Sequence, residues 1–200
     1  MLDICYSVSI ELRITFNGLK SHCIHVGHSI NKYKLDAMFL GNNTFDWSCK
    51  LKYLGIWIKS GKHFDIDVTE SRSKFFRTAN YILHKAKYAC DMVKLNLLES
   101  HCLPIILYCS ESGCINDNML ILLNSCWNSI YRKIFGYFRW ESVRNIMCCL
   151  NKMNVSYIVN QRRILFVKNL YSNVPKTNFL ADIVTTYIHK NEFQTLLQKL

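Results

Sequence analysis

The sequence predicts an α+β chain: a small antiparallel β-sheet followed by a helical bundle. Three observations carry this. Short β-rich runs parted by polar turns are confined to the first third. Apolar residues recur at spacings of three and four through most of the rest. Half of the 200 residues are hydrophobic, enough for one or two modest cores. The expected domains are residues 1–62, built on the sheet, and residues 63–200, which are helical.

Ile4, Val8 and Leu12 lie at i, i+4 and i+8, one face of a first helix that ends where Phe16, Asn17 and Gly18 make a turn. A helix starting at the first residue is expected to follow a preceding part. The runs Cys23 to Val26, Ala37 to Leu40 and Lys52 to Lys59, with the turn Gly41-Asn42-Asn43 among them, predict one small antiparallel sheet. Beyond Gly61, Asp65 or Asp67 is available to cap a helix running from Glu70 to about Cys90. Further helices are expected at about Lys94 to Ser110, Asp117 to Phe135, Glu141 to Leu150, Val155 to Tyr171 and Phe179 to Leu197. Pro104 kinks or breaks the first of these, and Pro175 falls in a linker.

Twenty-five Lys and Arg against fourteen Asp and Glu give a net charge of +11, which points to a polyanionic partner. The start Met-Leu-Asp-Ile-Cys lacks the parts of a secretory signal, so the ten cysteines are expected to be reduced thiols of an intracellular protein, nuclear or cytoplasmic. Cys90, Cys102, Cys109 and Cys126 sit among Leu, Ile and Ala, where a thiol acts as a small buried hydrophobe. The longest apolar stretches, Cys102 to Cys109 and Met119 to Leu123, fall far short of the ~20 residues that cross a bilayer, so no membrane span is expected.

On the helix after Glu70, Phe75, Ala79, Ile82, Leu83 and Ala86 share one face, and Lys74, Arg77, Tyr81, Lys85 and Tyr88 recur on the opposite side. Such a stripe serves a phosphate backbone, with lysine and arginine releasing counterions and tyrosine packing on sugar or base; otherwise it is the solvent face of a bundle helix. His22, Cys23, His25 and His28 are metal-capable, but a strand turns His22 away from Cys23 and His25, so no metal site is expected. The chain has no G-x-S-x-G elbow, no Gly-rich phosphate loop, no C-x-x-C pair and no Asp-Asp pair.

Three ordered blocks carry a family resemblance: F-N-G-L-K-S-H-C-I from Phe16, L-K-Y-L-G-I-W-I from Leu51, and L-N-S-C-W-N-S-I-Y-R-K-I-F-G from Leu123. The chain resembles the carboxyl-terminal part of a non-LTR retrotransposon reverse transcriptase, an RNA-directed DNA polymerase. The first two blocks look like polymerase motifs D and E at the end of the palm. The third, with Trp140 to Val143 and Gln161 to Arg163, looks like thumb and connection.

The resemblance implies that Lys20 is the motif D lysine, a general acid toward the pyrophosphate leaving group in a complete enzyme, and that Leu54, Gly55 and Ile56 form the primer grip. A solvated turn lysine and a glycine at a bulge in the hairpin are the alternative readings of Lys20 and Gly55. The complete parent enzyme uses Mg2+ held by an Asp-Asp box that this chain does not contain, so the isolated chain is expected to have no cofactor and not to be an enzyme. It is expected at most to hold a template–primer duplex. The rival reading is a helical protein-interaction module with an apolar surface around Trp127, Tyr131 and Phe135, or a remnant without function.

Overall fold

The computed structural model describes residues 2–27, 36–41, 43–112 and 115–173. The fold is α+β, and the chain divides into two units, Met1–Val68 and Thr69–Leu200.

The first unit holds helix α1 (Leu2–Glu11), a 3-10 turn at Gly18–Lys20, and strands β1 (His22–Cys23), β2 (Met38–Leu40), β3 (Asn43–Trp47), β4 (Lys50–Tyr53), β5 (Ile56–Lys59) and β6 (Asp65–Asp67). The strands form two three-stranded sheets, β1-β3-β2 and β4-β5-β6, where the sequence predicts one. The strand pairings are antiparallel except β1 with β3, which run parallel with His22 opposite Asp46 and Cys23 opposite Trp47; a single parallel bridge also joins Val26 to Gly61. The run Lys52 to Lys59 is not a single strand, because the chain reverses at Leu54 and Gly55, where φ is 47° and 82°. Positive φ at both central residues is the signature of a type I′ hairpin turn, whose twist matches the flanking strands. Asn43–Trp47 is a strand that the sequence reading does not anticipate.

Asp65 and Asp67, the expected candidates for a helix cap, are strand residues of β6, which ends just before α2. Register and alternation put Lys50, Lys52, Trp57, Lys59, Asp65 and Asp67 on one face of the second sheet, and Leu51, Ile58 and Ile66 on the other. Asp67 binds Lys50 at 3.2 Å and Lys59 at 3.6 Å, so this face carries its charge largely compensated.

The face predicted for α1 is not its buried one. Ile4 and Val8 are exposed, Leu12 lies beyond the helix and is also exposed, and the buried residue is Ser9, whose Oγ donates to the Tyr6 carbonyl at 2.7 Å. Helix α1 lies against β2. There the Tyr6 ring crosses Gly41 so closely that a Cβ on Gly41 would meet its Cε2 at 2.2 Å, and Gly41 has φ +60°. Gly41→Ala combines a left-handed backbone costing ~1–2 kcal/mol with an overpacking clash of ~1–3 kcal/mol. It should therefore loosen α1 from β2, read as faster amide exchange over α1 with α2 onward unchanged.

The second unit holds α2 (Thr69–Lys85), α3 (Asp91–His101), α4 (Leu103–Leu107), α5 (Asp117–Phe135), α6 (Arg144–Cys149) and α7 (Val155–Asn173). The helix expected at Lys94 to Ser110 is two helices, α3 and α4. Pro104 sits in the first turn of α4, where its missing N–H costs nothing. The helix expected to reach Cys90 stops at Lys85, leaving Tyr88 in the turn beyond it. Helix α6 is shorter than its expected span. The segment Phe179 to Leu197 and Pro175 lie outside the described residues.

The core of this unit is built on α5. Trp127 and Tyr131 are buried, and Trp127 stands 6.3 Å from Phe75 of α2 and 5.8 Å from Tyr131, ring centre to ring centre. Leu95 and Leu98 of α3, Ile106 and Leu107 of α4, and Val155 and Val159 of α7 complete it. Of the four cysteines expected inside, Cys102 and Cys126 are buried, Cys109 is half-buried and Cys90 is exposed; the last begins α3 from an extended turn. Burial pushes the Cys102 thiol up to about 11. Among the described residues no helix is long and apolar enough to cross a membrane.

Candidate nucleic-acid interface

Helix α2 separates its two faces as the spacing predicts. Phe75 and Ala79 are buried, Ile82, Leu83 and Ala86 are half-buried, and Lys74, Arg77, Tyr81 and Lys85 are exposed. At 100° per residue the four exposed residues fall within a quarter of the helix circumference. They run about 16 Å along it, the reach of a few consecutive phosphates. Lys85 places its ammonium 5.8 Å from the Tyr81 ring centre, within cation–π range. None of Lys74, Arg77 and Lys85 has a carboxylate within ion-pairing distance among the described residues. The charge of this stripe is uncompensated, unlike that of the second sheet.

One contributor is invisible in the periodicity of α2. Lys133 of α5 donates to the Asn80 Oδ1 at 2.9 Å, and Asn80 neighbours Arg77 on the helix surface, so a fourth cation borders the stripe.

Leu54 and Gly55 form the tip of the β4–β5 hairpin, and Ile56 opens β5. Gly55 meets a need for positive φ at the second turn position, so it is a turn glycine and not a bulge. Leu54 breaks the local rule: type I′ turns favour Asn at its position, yet a leucine stands there at φ 47° and 71% exposed. Leu54→Asn should stabilise the hairpin by ~1 kcal/mol by removing that backbone strain, read as slower amide exchange across β4 and β5. Below the tip, Lys50 and Lys52 stand 5.0 Å and 5.3 Å from the Trp57 ring centre.

Lys20 ends the 3-10 turn, is exposed, and donates its backbone N–H to the Asn17 carbonyl at 3.1 Å. This turn packs on β3 of the first sheet, whereas the hairpin tip belongs to the second. The residues named from sequence therefore occupy three places: a turn on one sheet, a hairpin tip on the other, and a helix face of the second unit.

His22 and Cys23 form β1, and His25 lies beyond it, 6.4 Å from the Trp47 ring, with a buried Nδ1 that has no partner among the described residues. His28 falls outside the described residues. No group of three His, Cys, Asp or Glu able to hold a metal stands together among the described residues, and Asp67 is engaged by two lysines, so the side chains present do not fit a magnesium pair.

Sequence reasoning also passed over a basic concavity in the second unit, to which Arg132, Arg144 and Lys152 contribute. A signal for it was available. From Ser142 to Ala181 the chain runs through forty residues without one Asp or Glu while carrying six Lys and Arg. No family model, curated protein or solved structure matches the chain.

Proposed function

We propose that the chain is the carboxyl-terminal part of a non-LTR retrotransposon reverse transcriptase, comprising the end of the palm, the thumb and the connection, and that it holds template–primer nucleic acid without polymerising by itself. The observation that carries the binding half of this reading is the uncompensated stripe Lys74, Arg77, Tyr81 and Lys85 on the exposed face of α2. The family half is supported by the three ordered sequence blocks. The strained, exposed Leu54 beside Gly55 is in keeping with a hairpin tip shaped for a ligand and not for stability alone.

The isolated chain lacks an Asp-Asp pair, and phosphoryl transfer from a nucleoside triphosphate needs carboxylates that align two metal ions with the 3′ hydroxyl. Lys20 would act as a proton donor only beside such a centre. The rival interaction surface loses its basis, because Trp127 and Tyr131 are core residues.

The test uses the purified chain with a labelled RNA–DNA duplex. Binding should weaken steeply with added salt, and labelled nucleotide should not be incorporated with magnesium or manganese. Salt-independent binding would contradict the phosphate-backbone reading, and incorporation above a control would contradict the assigned lack of activity.

A further inference from the structure

The second unit contains a cavity of about 600 Å³ that the stripe on α2 does not involve. Asn128 and Arg132 of α5, Ser142 and Arg144 around the start of α6, Lys152 of the following loop and Tyr157 of α7 supply its chemistry. Among the described residues, none that lines it is acidic. Its volume lies within the ~300–1,000 Å³ usual for small-molecule sites.

The three cations differ in what they have left to give. Lys152 is held by Glu99 at 2.6 Å, so its charge is matched. Arg132 donates its Nε to the Glu141 carbonyl at 2.9 Å, which orients the guanidinium and leaves its charge unmatched. Arg144 has no carboxylate partner among the described residues. Two guanidiniums without a carboxylate partner among the described residues, in a concavity with no acidic lining residue, select a phosphate group.

A bare anion, however, leaves one requirement unmet. Asn128 has a buried Oδ1 with no hydrogen-bond partner among the described residues, and an acceptor asks for a donor that phosphate at neutral pH scarcely offers. A nucleobase offers N–H groups. Two residues before Ser142, at most about 7 Å away along the chain, Trp140 stacks on Phe138 with ring centres 5.1 Å apart and planes 1° from parallel. Trp140 is 81% exposed and Phe138 61%, which leaves a flat aromatic surface open to a base. The loop bearing this pair is tied down, since the Phe138 N–H donates to the Glu141 carboxylate while Arg132 holds the Glu141 carbonyl.

We propose that this cavity is a nucleotide site, taking one unpaired nucleotide with its phosphate on Arg132 and Arg144 and its base edge toward Asn128, with the next base of a single strand stacking on Trp140. A base already paired within a duplex has no free edge or face to offer here. The inference does not rest on the template–primer reading, which uses a different helix face.

The test compares Arg144→Gln and Trp140→Ala with the wild-type chain for binding of a labelled single-stranded octanucleotide and of its duplex. Both side chains are exposed, so the unfolding midpoint should not move. Each variant should lose single-strand affinity, Trp140→Ala by about 5- to 150-fold from the missing stacking, with duplex affinity unchanged. The α2 variant Lys74→Gln/Arg77→Gln/Lys85→Gln should instead impair the duplex, so the two readings can fail separately. A mononucleotide that competes as well as the octanucleotide would identify free nucleotide as the ligand, and much weaker competition would identify the strand; both support the site. Inorganic phosphate competing as well as the mononucleotide, or wild-type single-strand affinity in both variants, would overturn it.

Discussion

Trp127→Ala should destabilise the helical unit by ~3–5 kcal/mol, a large share of the ~5–15 kcal/mol that holds an ordinary domain together. The indole is 1% exposed and sits between Phe75 of α2 and Tyr131 one turn along α5, so its removal leaves a cavity in the core of the unit. Urea unfolding followed by circular dichroism should show the midpoint falling sharply or the helical signal largely lost in buffer. Tyr131→Phe makes the informative contrast. The Tyr131 hydroxyl is buried with no hydrogen-bond partner among the described residues, and burial, helped by the Glu99 charge, drives its pKa far above the ordinary tyrosine range. Removing it sacrifices no bond and relieves a desolvation cost, so this variant should match or slightly exceed the wild type.

The second large effect is on binding. Changing Lys74, Arg77 and Lys85 together to Gln removes three cations from one face of α2 while leaving Phe75 and Ala79 in the core. If each neutralises one phosphate, the counterions released at 0.1 M salt are worth close to an order of magnitude apiece, so duplex affinity should fall by on the order of 10²-fold or more. The loss should be the same for every duplex sequence, because the phosphate backbone carries no base information. Stability should stay within about 0.5 kcal/mol of the wild type, since the three side chains are exposed and none is held in an ion pair among the described residues.

Helix α5 shows where the sequence is most legible. Its expected bounds, Asp117 to Phe135, are its observed ones, because both ends are written in local chemistry. The Asn116 Oδ1 accepts from the Met119 N–H at 2.9 Å, and Gly136 closes the helix at φ 71° with its N–H on the Arg132 carbonyl. The two faces of α2 are legible for the same reason, as periodicity alone defines them. Asp65 and Asp67 are legible only in part: the strand they form and the Lys50 and Lys59 partners of Asp67 come from distant neighbours brought in by strand register.

The first helix misleads differently. The i, i+4, i+8 pattern of Ile4, Val8 and Leu12 finds a helix but does not say which face meets a partner, and here it is Tyr6 and Ser9 that meet β2 and the interior. The cavity around α6 escapes a linear reading because its residues come from α5, the loop before α6, α6 itself, the loop after it and the start of α7, each unremarkable alone. Only the absence of acids from Ser142 to Ala181 marks it in one dimension.

Backbone binding by the exposed face of α2, as proposed above, is an electrostatic property and shows itself in salt dependence. Its most direct test is the slope of log binding constant against log salt concentration for an RNA–DNA duplex, measured on the wild-type chain and on the Lys74→Gln/Arg77→Gln/Lys85→Gln variant. The slope should be shallower by about two to three in the variant, roughly one for each phosphate that is no longer neutralised. Equal slopes would mean that these residues face only solvent.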